Sequence, residues 1–183
     1  MGRISEFNAQ DHEVIARDYA DLKEAARKRC SDPEELEIIQ KAFEFANEAH
    51  KGVRRRSGEP YILHPIAVAK IVVSNIGLGY KSIVAALLHD VVEDTPVTLE
   101  ELAREFPADV VDAVALLTHG EDEPYDDYIR RVRTHPVAKK VKLADIDHNS
   151  DQTRCAGTGL TEAQLAYWRK KYINAKAILL EED

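Results

Sequence analysis

A chain of 183 residues with 44% apolar content has room for one hydrophobic core, as one domain or one domain with an arm. A formal net charge of −8 argues against a sequence-independent nucleic-acid binder, which needs a broad basic face, yet leaves room for an anionic small molecule on a local basic cluster. No apolar run approaches the ~18 residues that cross a bilayer and no charged-then-apolar leader opens the chain, so a cytoplasmic protein with no membrane partner is expected.

The opening MGRISEF resembles a cloning scar and is set aside. Residues from about Ala9 to Arg29 have helical composition with a weak apolar stripe, which suggests an arm over 1–30 and a main domain over 31–183. Ser31-Asp32-Pro33-Glu34-Glu35 is a helix start: a capping side chain, a first-turn proline and acids at the positive helix end. Ile38, Ile39, Ala42, Phe43 and Ala46 supply its apolar face up to about His50. Gly52, Gly58 and Pro60 then mark a loop, made basic by Lys51, Arg54, Arg55 and Arg56.

His64-Pro65 opens the next helix, with Pro65 at its first position, and Ile76-Gly77-Leu78-Gly79 ends it. KSIVAALLHDVVEDT, from Lys81 to Thr95, reads as one largely buried helix with His89, Asp90, Glu93 and Asp94 on one side. Thr98 caps a helix to about Phe106, and Pro107-Ala108 opens another. An acidic loop from His119 to Pro124 precedes a short amphipathic helix from Tyr125 to Val132. Pro136 starts a helix that ends near Asn149. Ser150 to Gly159 is loop-like, and Thr161 caps the last helix. No strand-like alternation of useful length is present, so the fold class is all-α, with roughly seven to nine helices.

Burying acids and imidazoles without a partner is costly, so a cation is expected beside His89 and Asp90. His64 at a helix start and Asp145 in VKLADIDHN offer two further ligands. Two imidazoles and two carboxylates form a mixed N/O set that suits Mn²⁺ or Fe²⁺, with Co²⁺ or catalytic Zn²⁺ as alternatives. Such an ion lowers the pKa of a coordinated water and polarises a phosphoryl oxygen. Glu93 and Asp94, one turn on, are placed to orient or deprotonate that water or to protonate a leaving oxygen. The two cysteines, Cys30 and Cys155, stand in no metal-like spacing and are expected as reduced thiols.

HP at 64–65, HD at 89–90, the continuation VVEDT to Thr95 and KLAD to Asp145 resemble the HD superfamily. RRSGEPYILHP, from Arg55 to Pro65, narrows the resemblance to the hydrolase domain of RelA/SpoT homologues, which remove the 3′-pyrophosphate of (p)ppGpp. The match runs from about Ala49 to Asn149. It implies an all-helical HD fold, usually Mn²⁺, metal ligation by His64, His89, Asp90 and Asp145, and water handling by Glu93 and Asp94. Carried over, Arg55 would stack on the base, and Arg56 and Ser57 would reach phosphate or ribose. Asn149 would contact ribose or base. A planar guanidinium both stacks on rings and pairs with phosphate.

His50, His119, His135 and His148 receive no catalytic role, and Lys139, Lys140 and Lys142 read as a solvated helix face. Trp168 and Tyr172 of the last helix could serve a homodimer face, with closure of the core as the favoured use. One departure touches specificity. IDHNSD stands where the family carries an RLHNMR-like run, which puts guanine preference in question. The segment from Tyr125 to Pro136 looks more like small stand-alone hydrolases of this group. The expected reaction is therefore metal-dependent hydrolysis of (p)ppGpp to GDP or GTP and pyrophosphate. The alternatives are the same site acting on (p)ppApp, NADPH or another nucleotide, and an inactive nucleotide-binding module.

Overall fold

The computed structural model of the chain describes residues 3–4, 6–151 and 159–181. The all-helical expectation holds: among the described residues are ten α-helices, one π-helical turn and a ribbon of two two-residue strands. The ribbon pairs Arg3–Ile4 (β1) antiparallel with Val53–Arg54 (β2), so the opening residues take part in the fold.

Helix α1 (Ala9–Arg27) starts at Asn8, which exchanges hydrogen bonds with Asp11 and so satisfies first-turn N–H groups. Ile15, Leu22 and Ala26 bury its stripe in the common core. Helix α2 (Pro33–Ala49) starts as expected, with Asp32 accepting from Glu34 N at 3.0 Å. Helix α3 (Leu63–Ile71) begins earlier than His64-Pro65 suggests. Pro65 is its third residue, still within the turn where a missing N–H costs nothing. A π-helical turn, Val72–Ile76, follows. It closes on Gly77, whose φ of 72° only glycine adopts freely.

Helix α4 (Tyr80–Leu88) is buried from Ser82 to Leu88 and packs against α2, α3, α7 and α9. A helix apolar on every side belongs at the centre of a core. The single helix expected from Lys81 to Thr95 is broken here. Helix α4 stops at Leu88, and a one-turn helix α5 (Val91–Asp94) follows. The cause is local. His89 Nδ1 lies 2.7 Å from Ala86 O, and Asp90 leaves helical geometry at φ −100°, ψ −5°. In a continuing helix the Asp90 amide would seek that same carbonyl.

Helices α6 (Leu99–Glu105), α7 (Ala108–Leu117), α8 (Tyr125–Arg133), α9 (Pro136–Ser150) and α10 (Glu162–Leu180) complete the domain. Thr98 with Glu101 and Thr161 with Gln164 form capping boxes at the starts of α6 and α10. Arg131 closes the end of α7: its guanidinium donates to the carbonyls of Leu116 and Thr118 and to both Glu123 oxygens, at 2.7–3.1 Å. Among the described residues no helix is long and apolar enough to cross a membrane. Most of the polar segment from Ser150 to Gly159, with Cys155, lies outside the described residues, whereas Cys30 is buried.

Candidate metal centre

Three places in the chain bring four side chains together. His64 comes from the first turn of α3, His89 and Asp90 from the break after α4, and Asp145 from α9. His64 Nε2 lies 3.2 Å from Asp145 Oδ1 and 3.4 Å from Asp90 Oδ2. His89 Nε2 lies 3.1 Å from Asp90 Oδ2 and 3.8 Å from Asp145 Oδ1. His64, His89 and Asp90 each offer a ligand atom within 4.8 Å of the others. The four candidate ligands named from the sequence thus lie side by side.

The donor set fits a divalent ion. His89 Nε2 is buried and, despite its closeness to Asp90, has no hydrogen bond of acceptable geometry. A buried imidazole nitrogen facing carboxylate oxygens is a donor arrangement that suits a divalent cation. Electrostatics agree. Burial alone would lower the His89 pKa, but Asp90 and Asp145 outweigh it and raise it to about 9. Burial would raise Asp90 and Asp145. The histidines on the first, and Lys142 with His64 on the second, overcome this and hold both below the usual carboxylate range.

Four outer side chains orient the ligands, and the sequence reading missed three of them. Tyr61 donates its hydroxyl to Asp90 Oδ2 at 2.7 Å, with its ring stacked on buried His50. His148 Nδ1 sits 2.8 Å from His64 Nδ1. Lys142 donates to Asp145 Oδ2 at 2.9 Å, so it does not belong to a solvated face. Asn149, which was singled out, donates to Asp145 Oδ1 at 2.6 Å. Lys142, Asp145 and Asn149 fall at i, i+3 and i+7 of α9, which places them on one face. That spacing was the signal available in the sequence for Lys142.

Glu93 and Asp94 follow Asp90 on the one-turn helix α5. Glu93 Oε2 accepts from the His119 backbone N–H at 3.0 Å, and burial raises the pKa of its carboxyl. The environment of Tyr61 contains both Asp90 and Asp94, which puts Asp94 on the ligand side of α5. His119 and His135 serve locally. His119 Nε2 lies 2.7 Å from Glu123 O, and His135 caps α9.

The basic loop forms a tight turn. Gly58 N donates to Arg55 O and Arg55 N to Glu59 O, both at 2.9 Å. Arg54 turns away from the ligands and pairs with Asp11 of α1. Arg55, Arg56 and Ser57 line a cleft of about 240 Å³, with Asn149, Trp168 and Tyr172 among the other walls. Trp168 is therefore neither core nor a shown dimer contact: it is 38% exposed and faces this cleft. Arg55 donates to Asn149 Oδ1 at 2.8 Å and leaves its other terminal nitrogen buried without a partner. Ile146, where the family resemblance implied a basic residue, is wholly buried in the core. Asp147 pairs with Lys176 of α10.

Residues 42–124 match the family model described as "HD domain". Such domains are metal-dependent, in keeping with the histidine–aspartate cluster. The chain is 40% identical over 134 residues to a probable GTP pyrophosphokinase of Mycobacterium leprae, across 68% of this chain and 17% of that one. It is 41% identical over 96 residues to a guanosine-3′,5′-bis(diphosphate) 3′-pyrophosphohydrolase of Vibrio cholerae, across 52% and 13% of the two. The chain thus spans less than a fifth of the length of these curated relatives. A solved structure of a metazoan orthologue of SpoT that hydrolyses ppGpp superposes with a TM-score of 0.69 and 26% identity, over 78% of this chain and 85% of that one. Residues 42–124 thus match an HD domain, in a chain whose relatives include a (p)ppGpp 3′-pyrophosphohydrolase and whose fold is that of a metazoan SpoT orthologue.

Proposed function

We propose that this protein is a metal-dependent hydrolase that removes the 3′-diphosphate of (p)ppGpp, with Mn²⁺ as its ion. The observation that carries the reading is the double contact of Asn149, which binds the metal-site carboxylate Asp145 and the loop residue Arg55. It joins a metal centre and an arginine-lined cleft into one site. A metal-dependent phosphohydrolase of a nucleotide needs both parts within one site.

His64, His89, Asp90 and Asp145 would hold the ion. When bound, it supplies Lewis-acid activation of water and of a phosphoryl oxygen. Arg55 presents a planar guanidinium to the base, while Arg56, Ser57 and Asn149 reach ribose and phosphate. The water oxygen bonds to the phosphorus carried by the 3′ oxygen, and the bond between that phosphorus and the 3′ oxygen breaks. Glu93, whose carboxyl burial raises above the usual glutamate value, takes the water proton, and Asp94 orients the water. Glu93 returns that proton to the leaving 3′ oxygen, giving GDP or GTP and pyrophosphate.

The test is a panel of guanine and adenine 3′-diphosphates and NADPH, with and without Mn²⁺, resolved by nucleotide chromatography. Mn²⁺-dependent release of GDP from ppGpp, faster than release from the adenine form, is the expected result. Equal rates on both would retire the guanine preference, and no turnover on any of them would retire the hydrolase reading.

A further inference from the structure

A second cationic feature borders the arginine cleft at its Trp168 wall and reaches Asp145 through Lys142. Tyr125 and Tyr128 of α8 stand with ring centroids 5.8 Å apart, and each carries a lysine. Lys171 of α10 places Nζ 3.7 Å from the centre of the Tyr125 ring and 5.0 Å from that of Trp168. Lys142 of α9 places Nζ 5.2 Å from the centre of the Tyr128 ring.

The two ammonium groups differ in what neutralises them. Lys142 has Asp145. Lys171 is half-buried and makes no ion pair among the described residues; burial and the nearby Lys142 lower its pKa, with Glu93 acting the other way. A ring face holds an ammonium in position without cancelling its charge. An ammonium also keeps three donors, and aromatic faces satisfy them poorly. Two like charges held close together in partly buried surroundings repel one another unless an anion lies near both.

The placement along α9 gives the direction. Asn149, at the arginine cleft, lies one turn beyond Asp145, and Lys142 lies one turn before it. At a rise of ~1.5 Å per residue these two flanking positions are roughly 10 Å apart along the helix. The ligands sit between them. A nucleoside held at the Asn149 end would direct its phosphates across the metal ligands towards Lys142 and Lys171.

The geometry points to Lys171, supported by Lys142, as the subsite that binds the terminal phosphate of the 3′-diphosphate and then the pyrophosphate product. This inference rests on the hydrolase reading above for its substrate, but the site itself is an oxyanion site for a diphosphate. Lys171 is a substrate-binding group here, while Lys142 also positions Asp145. Lys171 is accordingly the residue to vary.

Trp168 is the sole tryptophan in the chain and lies beside Lys171, so its fluorescence reports the subsite. Full-length protein in a fixed excess of Mn²⁺ is titrated with inorganic pyrophosphate and, separately, with GDP, for wild type, Lys171→Met and Lys171→Arg. The expected result is about a tenfold loss of pyrophosphate affinity in Lys171→Met, the size of one lost charge-assisted contact. GDP affinity stays within about twofold, and Lys171→Arg recovers most of the loss. Product inhibition by pyrophosphate during ppGpp turnover shifts in parallel. Unchanged pyrophosphate affinity in Lys171→Met, or an equal loss for GDP, overturns the subsite. If wild type binds pyrophosphate through Lys171 but turns over no ppGpp, the hydrolase reading fails and the diphosphate site stands. If ppGpp is hydrolysed and Lys171→Met behaves as wild type, the subsite alone fails. Thermal melts of the three proteins confirm folding in each arm.

Discussion

His148 Nδ1 lies 2.8 Å from Nδ1 of His64, on the side of that ring opposite the nitrogen that faces Asp90 and Asp145. This contact fixes a tautomer. If His64 gives its Nε2 lone pair to an ion, a neutral ring carries its proton on Nδ1 and donates it to His148. The His148 proton then resides on Nε2. Outer partners of this kind tune ligand basicity and orientation, and their removal costs about 10–100-fold in metal affinity. His148→Ala is expected to weaken Mn²⁺ binding by that factor while the fold persists. Isothermal titration calorimetry of wild type and variant measures it. Equal affinities would show that the contact orients nothing.

Asp145 is held at both oxygens, Oδ2 by Lys142 and Oδ1 by Asn149. Asp145→Ala is expected to abolish both stoichiometric metal binding and turnover, and chelation of the wild type to abolish turnover reversibly. Metal analysis after gel filtration, followed by activity on adding back Mn²⁺, Fe²⁺, Co²⁺ or Zn²⁺, checks both. The variant leaves the Lys142 ammonium half-buried without its partner, so a lowered melting temperature accompanies the loss.

Glu93 is separable from the ligands. Glu93→Gln is expected to keep metal affinity and to lower kcat by about 10²–10⁴, the usual worth of a positioned general base. The base works when ionised, and burial raises its pKa above the usual glutamate value. The rate therefore falls as pH drops through that raised pKa. The acid limb of the wild-type profile should sit above the ordinary glutamate range and be absent from the variant. A variant with full activity would remove Glu93 from the reaction.

Arg131 gives a prediction about stability. It grips both Glu123 oxygens and the carbonyls at the end of α7. Arg131→Met should cost about 1.5–3 kcal/mol, the range for hydrogen bonds to charged groups, read from urea unfolding. The Arg131 side chain also holds the Glu123 pKa down to about 2. A depressed carboxyl stabilises the fold above its unfolded pKa, and the contribution fades as pH falls towards the folded value. The stability difference between wild type and Glu123→Gln should shrink over that acid window. A difference constant with pH would contradict the pairing.

Helix starts were readable in the sequence because their chemistry is local. Asp32, Thr98 and Thr161 each bond an amide two or three residues on, and each lies in a stretch read as a helix start. That His64, His89, Asp90 and Asp145 lie together was readable too, since imidazoles and carboxylates at the ends or breaks of apolar helices are costly to bury singly. The break after α4 was not. It depends on the His89 ring taking a backbone carbonyl, and residue spacing does not record that choice. His148 and Tyr61 were missed for a related reason: their roles exist only once α3, α5 and α9 meet. The same holds for Trp168, whose use as a cleft wall depends on how α10 crosses the Arg55 turn.

Asn149 touches Asp145 with its amide nitrogen and Arg55 with its amide oxygen. A nucleotide that recruits Arg55 competes for that oxygen, and an ion that draws on Asp145 competes with that nitrogen. The two occupancies therefore share one side chain and are thermodynamically linked. Whatever factor the nucleotide applies to metal affinity, the metal must apply to nucleotide affinity, because the cycle has to close. In Asn149→Ala that factor should collapse towards unity even where each separate affinity survives.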